Sequence, residues 1–194
     1  MAPEEGESAG RAFDVVKGDA PKTPILETAR FMMRPLVRED AAALFPTLSD
    51  PENCKFLLRA PFETIEDLSD WLCDPDWNGR TWSAIDRETQ DLVARVVAVP
   101  AADQVTEIGY ITVVNRSGEG IASECTARLV EYLFEEEGYH RLTAGTDPRN
   151  EASNAILRKL GFRLEAHLRE SVKTHMGWCD EYLWGLLASE WNER

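Results

Sequence analysis

The sequence has little of what marks most catalytic chemistries. Its three histidines, His140, His167 and His175, show neither H-x-H nor H-E-x-x-H spacing, so neither a structural nor a catalytic metal is expected. The four cysteines, Cys54, Cys73, Cys125 and Cys179, form no C-x-x-C pair and read as reduced thiols. There is no G-x-S-x-G elbow, which removes the usual hydrolase reading. A Gly-Lys-Ser/Thr loop and a full G-x-G-x-x-G are also missing, which disfavours a nucleotide triphosphate and a dinucleotide. No apolar run approaches the span of a bilayer, and the first residues, with Glu4, Glu5 and Glu7, carry no basic-then-apolar signal, so no membrane partner and a cytoplasmic location are expected. Positive charge is scarce: 21 Lys and Arg face 35 Asp and Glu, for a formal net charge of −14. Such a surface repels nucleic-acid phosphates and attracts amines or basic peptides. It equally serves solubility, so charge alone names no substrate.

At 194 residues and 43% hydrophobic, the chain can bury a full core without metals or disulfides. Residues 1–25, rich in Ala, Gly, Glu, Pro and Lys, read as a flexible leader, and 26–194 as one domain. The most informative segment is Arg116-Ser117-Gly118-Glu119-Gly120-Ile121-Ala122-Ser123-Glu124-Cys125. Upstream, the β-branched and apolar run Glu107 to Val114 predicts a buried strand. Downstream, Ile121, Cys125, Leu129 and Leu133 recur every four residues, joined by Val130 and Phe134, which predicts a helix packed on a sheet. A glycine turn opening a helix gathers free backbone N–H groups at the positive end of the helix dipole and so suits a phosphate. Helix capping alone is the other reading of the two glycines.

A further strand is predicted at Arg141 to Thr146, followed by a short helix with Asn150 as N-cap and Gly161 as stop. Earlier segments predict a strand at about 30–36, a helix from Asp40, whose side chain can cap it, to Leu48, a helix from Thr64 to Leu72, and strands at 82–85 and 92–99. Two closing strands are expected near 165–173 and 180–187; the second, with Leu183-Trp184-Gly185-Leu186-Leu187, suits a core or a dimer, so monomer and homodimer both stay open. Most of the six tryptophans are expected in the core, with some available to wall an acceptor pocket. The order β-α-α-β-β-β-α-β-α-β-β suits an α/β sandwich on one mixed sheet.

Taken together, Glu107-Ile108-Gly109-Tyr110, Gly118-x-Gly120-x-Ala122-Ser123-Glu124, Asn150-x-x-Ser153 and Lys159-Leu160-Gly161-Phe162 resemble the GCN5-related N-acetyltransferases (GNAT), in particular the RimJ/RimL-like type that acetylates ribosomal-protein N-termini. The resemblance extends to Phe31-Met32-Met33-Arg34-Pro35-Leu36 with Glu39-Asp40-Ala41, to Leu168-Arg169-Glu170, to Gly177-Trp178-x-Asp180 and to Glu190-Trp191. It implies the GNAT fold: one central mixed, mostly antiparallel sheet of about six to seven strands flanked by about four helices, with strands splayed at the acetyl-CoA site. It implies direct acetyl transfer from acetyl-CoA to a primary amine, such as a protein N-terminus or a small molecule. A non-catalytic module that binds a CoA ester for sensing or assembly is the alternative.

Within that resemblance, the pantetheine arm is expected along Ile111, Thr112 and Val113, and pyrophosphate on Gly118, Glu119, Gly120, Ile121, Ala122 and Ser123, flanked by Ser117 and Arg116. Ser117 replaces a Gln or Arg frequent in the family, and Arg116 is positioned to restore that positive charge. Asn150 matches a pantetheine-contacting residue, although an N-cap role would suffice. Leu157 stands where many GNAT enzymes carry a tyrosine acid, which leaves the Ser153 hydroxyl or solvent to protonate the departing thiolate. Glu107 is the first candidate base and Glu170 the second; a solvated strand-edge carboxylate and a partner for Arg169 are their other readings.

Overall fold

The structure, a computed structural model, describes residues 22–193. Most of the leader expected at 1–25 lies outside the described residues, but its end is tied down: Trp82 Nε1 donates to the Pro24 carbonyl at 2.8 Å. The chain forms β1 (Leu26–Glu27), β2 (Phe31–Pro35), α1 (Ala41–Leu48), α2 (Pro51–Cys54), α3 (Ile65–Leu72), β3 (Arg80–Asp86), β4 (Leu92–Ala102) and β5 (Val105–Thr112). It continues with α4 (Ile121–Glu131), β6 (Arg141–Thr146), α5 (Glu151–Lys159), β7 (Arg163–Thr174), β8 (Gly177–Leu187) and α6 (Ala188–Asn192). The eight strands make one sheet in the order β1-β2-β3-β4-β5-β6-β8-β7. Every neighbouring pair is antiparallel except β5 and β6. The mixed sheet is as expected, with slightly more elements; β1, α2 and α6, of two, four and five residues, are too short to show periodicity.

Alternating side chains of β4 and β5 feed two cores. Val96, Ala98 and Ile108 pack with the α4 stripe of Ile121, Cys125, Leu129, Val130 and Leu133 and with Leu157 of α5. On the other side, Ile111 and Val113 pack with Ala41, Leu44 and Leu48 of α1 and Leu68 and Leu72 of α3. The sheet is therefore covered on both faces by helices that the 3.6-residue pattern announces. Trp184 and Leu186 of β8 are buried in the first core. Of the six tryptophans only Trp82 and Trp184 are fully buried, so the expectation that most lie in the core does not hold.

Local signals hold where the chain folds on itself. Gly161 has φ +82°, Gly161 N–H donates to the Arg158 carbonyl and Phe162 N–H to the Leu157 carbonyl, the paired bonds of a Schellman stop. The helix expected to run on through Phe134 instead changes pitch: α4 ends at Glu131 and Tyr132–Glu136 form a π-turn, closed by Glu137 N–H on the Tyr132 carbonyl at 3.1 Å. That wider turn brings the Tyr132 hydroxyl and Glu137 to Arg80, which is 4% exposed and lies 2.9 Å from the Glu137 carboxylate. Burial and the adjacent Glu137 push the Tyr132 hydroxyl up to about 12.

Asp40 does not cap α1 as its position suggests; its carboxylate turns inward instead. Arg34 donates to both oxygens at 2.8 and 2.7 Å, the Val37 N–H at 2.9 Å and the Ser83 hydroxyl at 2.7 Å. Burial alone would raise the Asp40 carboxyl, but these donors outweigh it and hold it below the usual range. A carboxyl depressed in the folded state stabilises the fold above its unfolded pKa, and that contribution disappears as pH falls through the folded value. The urea midpoint of the native protein is therefore expected to fall progressively below about pH 4. In Asp40→Asn the midpoint is lower at neutral pH and this acid-dependent component is missing; equal pH profiles for the two proteins would contradict the assignment.

Candidate active site

The site begins where two parallel strands part. β5 and β6 pair only through Val105↔Arg141, Thr106↔Leu142 and Glu107↔Thr143. Beyond Glu107, β5 continues to Thr112 held by β4 alone, and β6 continues to Thr146 held by β8 alone. The facing edges of 108–112 and 144–146 thus present backbone groups to a fork rather than to a strand. An extended amide-bearing chain laid in that fork can satisfy them.

At the open end of the fork, β5 leads through the 3-10 turn Val114–Arg116 into the glycine loop. Gly118 and Gly120 have φ of +85° and +77°, a left-handed backbone that glycine adopts without strain. Gly120 is the N-cap of α4 and offers no side-chain cap; the first backbone bond of the helix is Glu124 N–H to the Gly120 carbonyl. The N–H groups of Ile121, Ala122 and Ser123 therefore project past the helix start, while the Ile121 and Ala122 side chains are buried and hold the turn in place. A Cβ at Gly118 would meet nothing within 4 Å, so the loop is open to a ligand. Among the cofactor-binding residues expected from sequence, those from Ile111 to Ser123 thus fall on one path from the fork to the loop.

Arg116 departs from its expected part. Its guanidinium is already engaged by Asp86 at 2.8 Å and by Glu119 at 2.9 Å, which raises its pKa and leaves it bracing the loop. The cation beside the loop is Arg30, from the β1–β2 turn, which donates to the Glu119 carbonyl at 3.2 Å and pairs with Glu124 at 2.7 Å. No local signal around residue 30 announces this, because the contact crosses 94 positions to Glu124.

A cleft of about 490 Å³ opens over the fork. Glu107, Gly109, Tyr110, Ile111, Asn150 and Ser153 line it. Asn150 accepts the Ser153 N–H at 3.2 Å, and the Tyr110 hydroxyl donates to the Ser153 carbonyl at 3.1 Å, so the first turn of α5 is pinned against β5. Burial raises the Tyr110 hydroxyl to about 12, so it remains a donor near neutral pH. Behind them, the buried Asn154 accepts from the Thr146 hydroxyl and donates to the Pro148 carbonyl, which fixes the end of β6. Leu157 is fully buried but borders the same cleft, so the position holds no acid.

Glu107 sits at the apex of the fork, opposite Glu181 of β8, which the sequence does not single out. Carboxylate oxygens of both lie within 4 Å of where a Cβ at Gly145 would stand, Glu181 at 2.8 Å and Glu107 at 3.9 Å. A side chain at Gly145 would displace this pair. Glu170 is not brought to the cleft. A register shift in β7 between Leu168 and Val172 puts it on a bulge with φ +44°, exposed, its N–H donating to Asp180 at 2.9 Å. The bulge breaks the alternation from which an inward-facing side chain would be inferred. Asp180 does border the cleft, and the Glu170 N–H and His167, at 2.7 Å, hold its carboxyl below the usual range.

The far wall comes from α3 and the segment before it. Phe56, Leu57, Arg59, Phe62 and Trp71 face Arg95 and Val97 of β4. Among the described residues there is no group of three or more His, Cys, Asp or Glu that could hold a metal, and no helix is long and apolar enough to cross a membrane.

Comparison with known proteins places this geometry. Residues 30–163 match the family model described as "Acetyltransferase (GNAT) domain". The chain is 31% identical over 174 residues to the uncharacterized N-acetyltransferase p20 of Bacillus licheniformis, covering 86% of this chain and 97% of that one. It is 26% identical over 84 residues to the [ribosomal protein uS5]-alanine N-acetyltransferase of Escherichia coli, covering 43% of each. Its fold superposes on an acetyltransferase (GNAT family) from Bacillus anthracis with a TM-score of 0.80, at 24% identity over 86% of this chain and all of that one. The chain belongs to the GNAT acetyltransferase family and is an N-acetyltransferase.

Proposed function

We propose that the protein moves an acetyl group from acetyl-CoA directly to a primary amine in the β5–β6 fork, with residues 26–194 acting as one catalytic domain. The observation that carries this is the end of β5–β6 pairing at Glu107↔Thr143, with left-handed glycines at the other end of the exposed edge. A strand rises about 3.3 Å per residue, so the five steps from Glu107 to Thr112 span roughly 17 Å, the reach of an extended pantetheine arm. Such a ligand fits with pyrophosphate on the N–H groups of Gly118 to Ser123 and its amide-bearing arm along Ile108 to Val113. When bound it supplies an acetyl group activated as a thioester.

The chain's own residues do the rest. Glu107, at the fork apex, takes the proton from the acceptor ammonium, directly or through a water, and Glu181 opposite it draws the cationic amine into place. Backbone N–H groups of the exposed β5 edge polarise the reacting carbonyl as charge gathers on its oxygen. The Ser153 hydroxyl, on the pinned first turn of α5, passes a proton to the departing sulfur. Tyr110 holds that turn.

The test is release of free thiol from acetyl-CoA on incubation with a panel of primary amines and short peptides. Amine-dependent thiol release, one acetyl per thiol, is expected. Tight acetyl-CoA binding with no release across the panel would make the protein a CoA-ester-binding module instead.

A further inference from the structure

Arg95 is the one cleft residue with an unmet demand. It lies on β4 opposite Ile111, and among the described residues its side chain forms no hydrogen bond or ion pair; its Nε is buried without a partner. Burial alone acts on it and pushes the guanidinium down to about 10, which leaves it charged near neutral pH. Its charge stands 4.9 Å over the face of Trp71, and Arg59 lies 5.2 Å from the same ring and 3.5 Å from Phe62. A guanidinium whose Nε is buried without a partner is a cost to the fold that the ring faces offset only in part. What an arginine fork matches best is a carboxylate, taken by two parallel N–H bonds.

The opposite end of the same cleft is acidic, with Glu107, Glu181 and Asp180. The cleft is thus bipolar, anionic where the amine reacts and cationic along the α3 wall. Register places Arg95 opposite Ile111 and Val99 opposite Glu107, four residues apart along the sheet, so the backbones are separated by about 13 Å. Side chains that converge from that distance suit two charges separated by several bonds.

We infer that the acceptor is an amine bearing a carboxylate several bonds away, which Arg95 grips from the Trp71 wall while the amine meets Glu107. This rests on the transfer reaction proposed above and narrows its substrate class. An acidic side chain near a peptide N-terminus and a free amino acid with a distal carboxylate share this chemistry.

The test compares kcat/KM for matched probes: Ala-Glu-amide against Ala-Gln-amide, free 4-aminobutyrate against butylamine, and spermidine as a polycation. The acidic member of at least one pair is expected to be favoured tenfold or more, the preferred pair distinguishing peptide from free acid. In Arg95→Met that preference collapses toward unity, in Arg95→Lys it is partly kept, and acetyl-CoA affinity by calorimetry is unchanged in both. Equal use of neutral members, preference for spermidine, a preference that survives in a folded Arg95→Met, or acetyl-CoA binding with no turnover of any acidic probe each overturns the inference. Absence of acetyl-CoA binding in the native protein is instead failure of the transfer reading, and the inference falls with it.

Discussion

Replacing Glu107 by Gln is expected to lower kcat for acetyl transfer about a hundredfold or more while leaving the acetyl-CoA dissociation constant within about twofold. The amide keeps the size and shape of the carboxylate at the fork apex but cannot accept the proton that an ammonium must lose before it attacks. The donor contacts proposed above run along Ile108 to Ser123, on the other side of the apex, and would be untouched. The loss should shrink as pH rises, because more of the acceptor then arrives already deprotonated. Glu181→Gln is expected to raise KM for the amine more than it lowers kcat, since that carboxylate attracts rather than accepts. Glu170→Gln, on the exposed bulge, should change either constant less than twofold. Steady-state kinetics of the three variants with calorimetry of donor binding separates these roles. A Glu107→Gln enzyme with unchanged kcat would remove it as the base.

Gly120→Asp is expected to weaken acetyl-CoA binding at least a hundredfold. Two effects act together. The new carboxylate would stand at the mouth of the N–H cradle, where the helix dipole and loop otherwise favour a phosphate, and like charges at that separation repel strongly. The left-handed φ of +77° also strains a residue with a Cβ, by about 1–2 kcal/mol. The fold itself should survive, because a Cβ at Gly120 would find only the end of the Arg30 guanidinium, at 3.7 Å, an ordinary contact. Gly120→Asn, which shares the strain but carries no charge, should lose much less affinity. Equal losses in the two would assign the effect to backbone distortion, and no loss in either would place the pyrophosphate elsewhere.

What the sequence discloses of this site is what is local. The α4 stripe, the two glycines and the Asn150 to Gly161 punctuation each reflect bonds made within a few residues, and the structure keeps them all. The glycine loop was legible for that reason, whereas Glu107 stood out only through the family resemblance. Residues that reach the site from other elements were not. Arg30 crosses from the β1–β2 turn, Glu181 comes from β8 and Arg95 is one arginine within an otherwise apolar strand, so none has a neighbouring pattern to betray it. Two misplacements have the same origin. Arg116 is next to the loop in sequence but is claimed by Asp86, thirty positions away, and Glu170 loses its inward direction to a bulge that no residue spacing in β7 signals. Asp40 likewise abandons its helix for Arg34 and Ser83, because a bidentate guanidinium and a buried hydroxyl offer more than a solvent-facing cap.

The most direct test of the fork as a donor site is calorimetric titration of acetyl-CoA into the full chain. Saturable binding at one site with micromolar affinity is predicted. No detectable heat at concentrations well above that range would contradict both the β5–β6 fork and the glycine loop as the place where the acetyl donor sits.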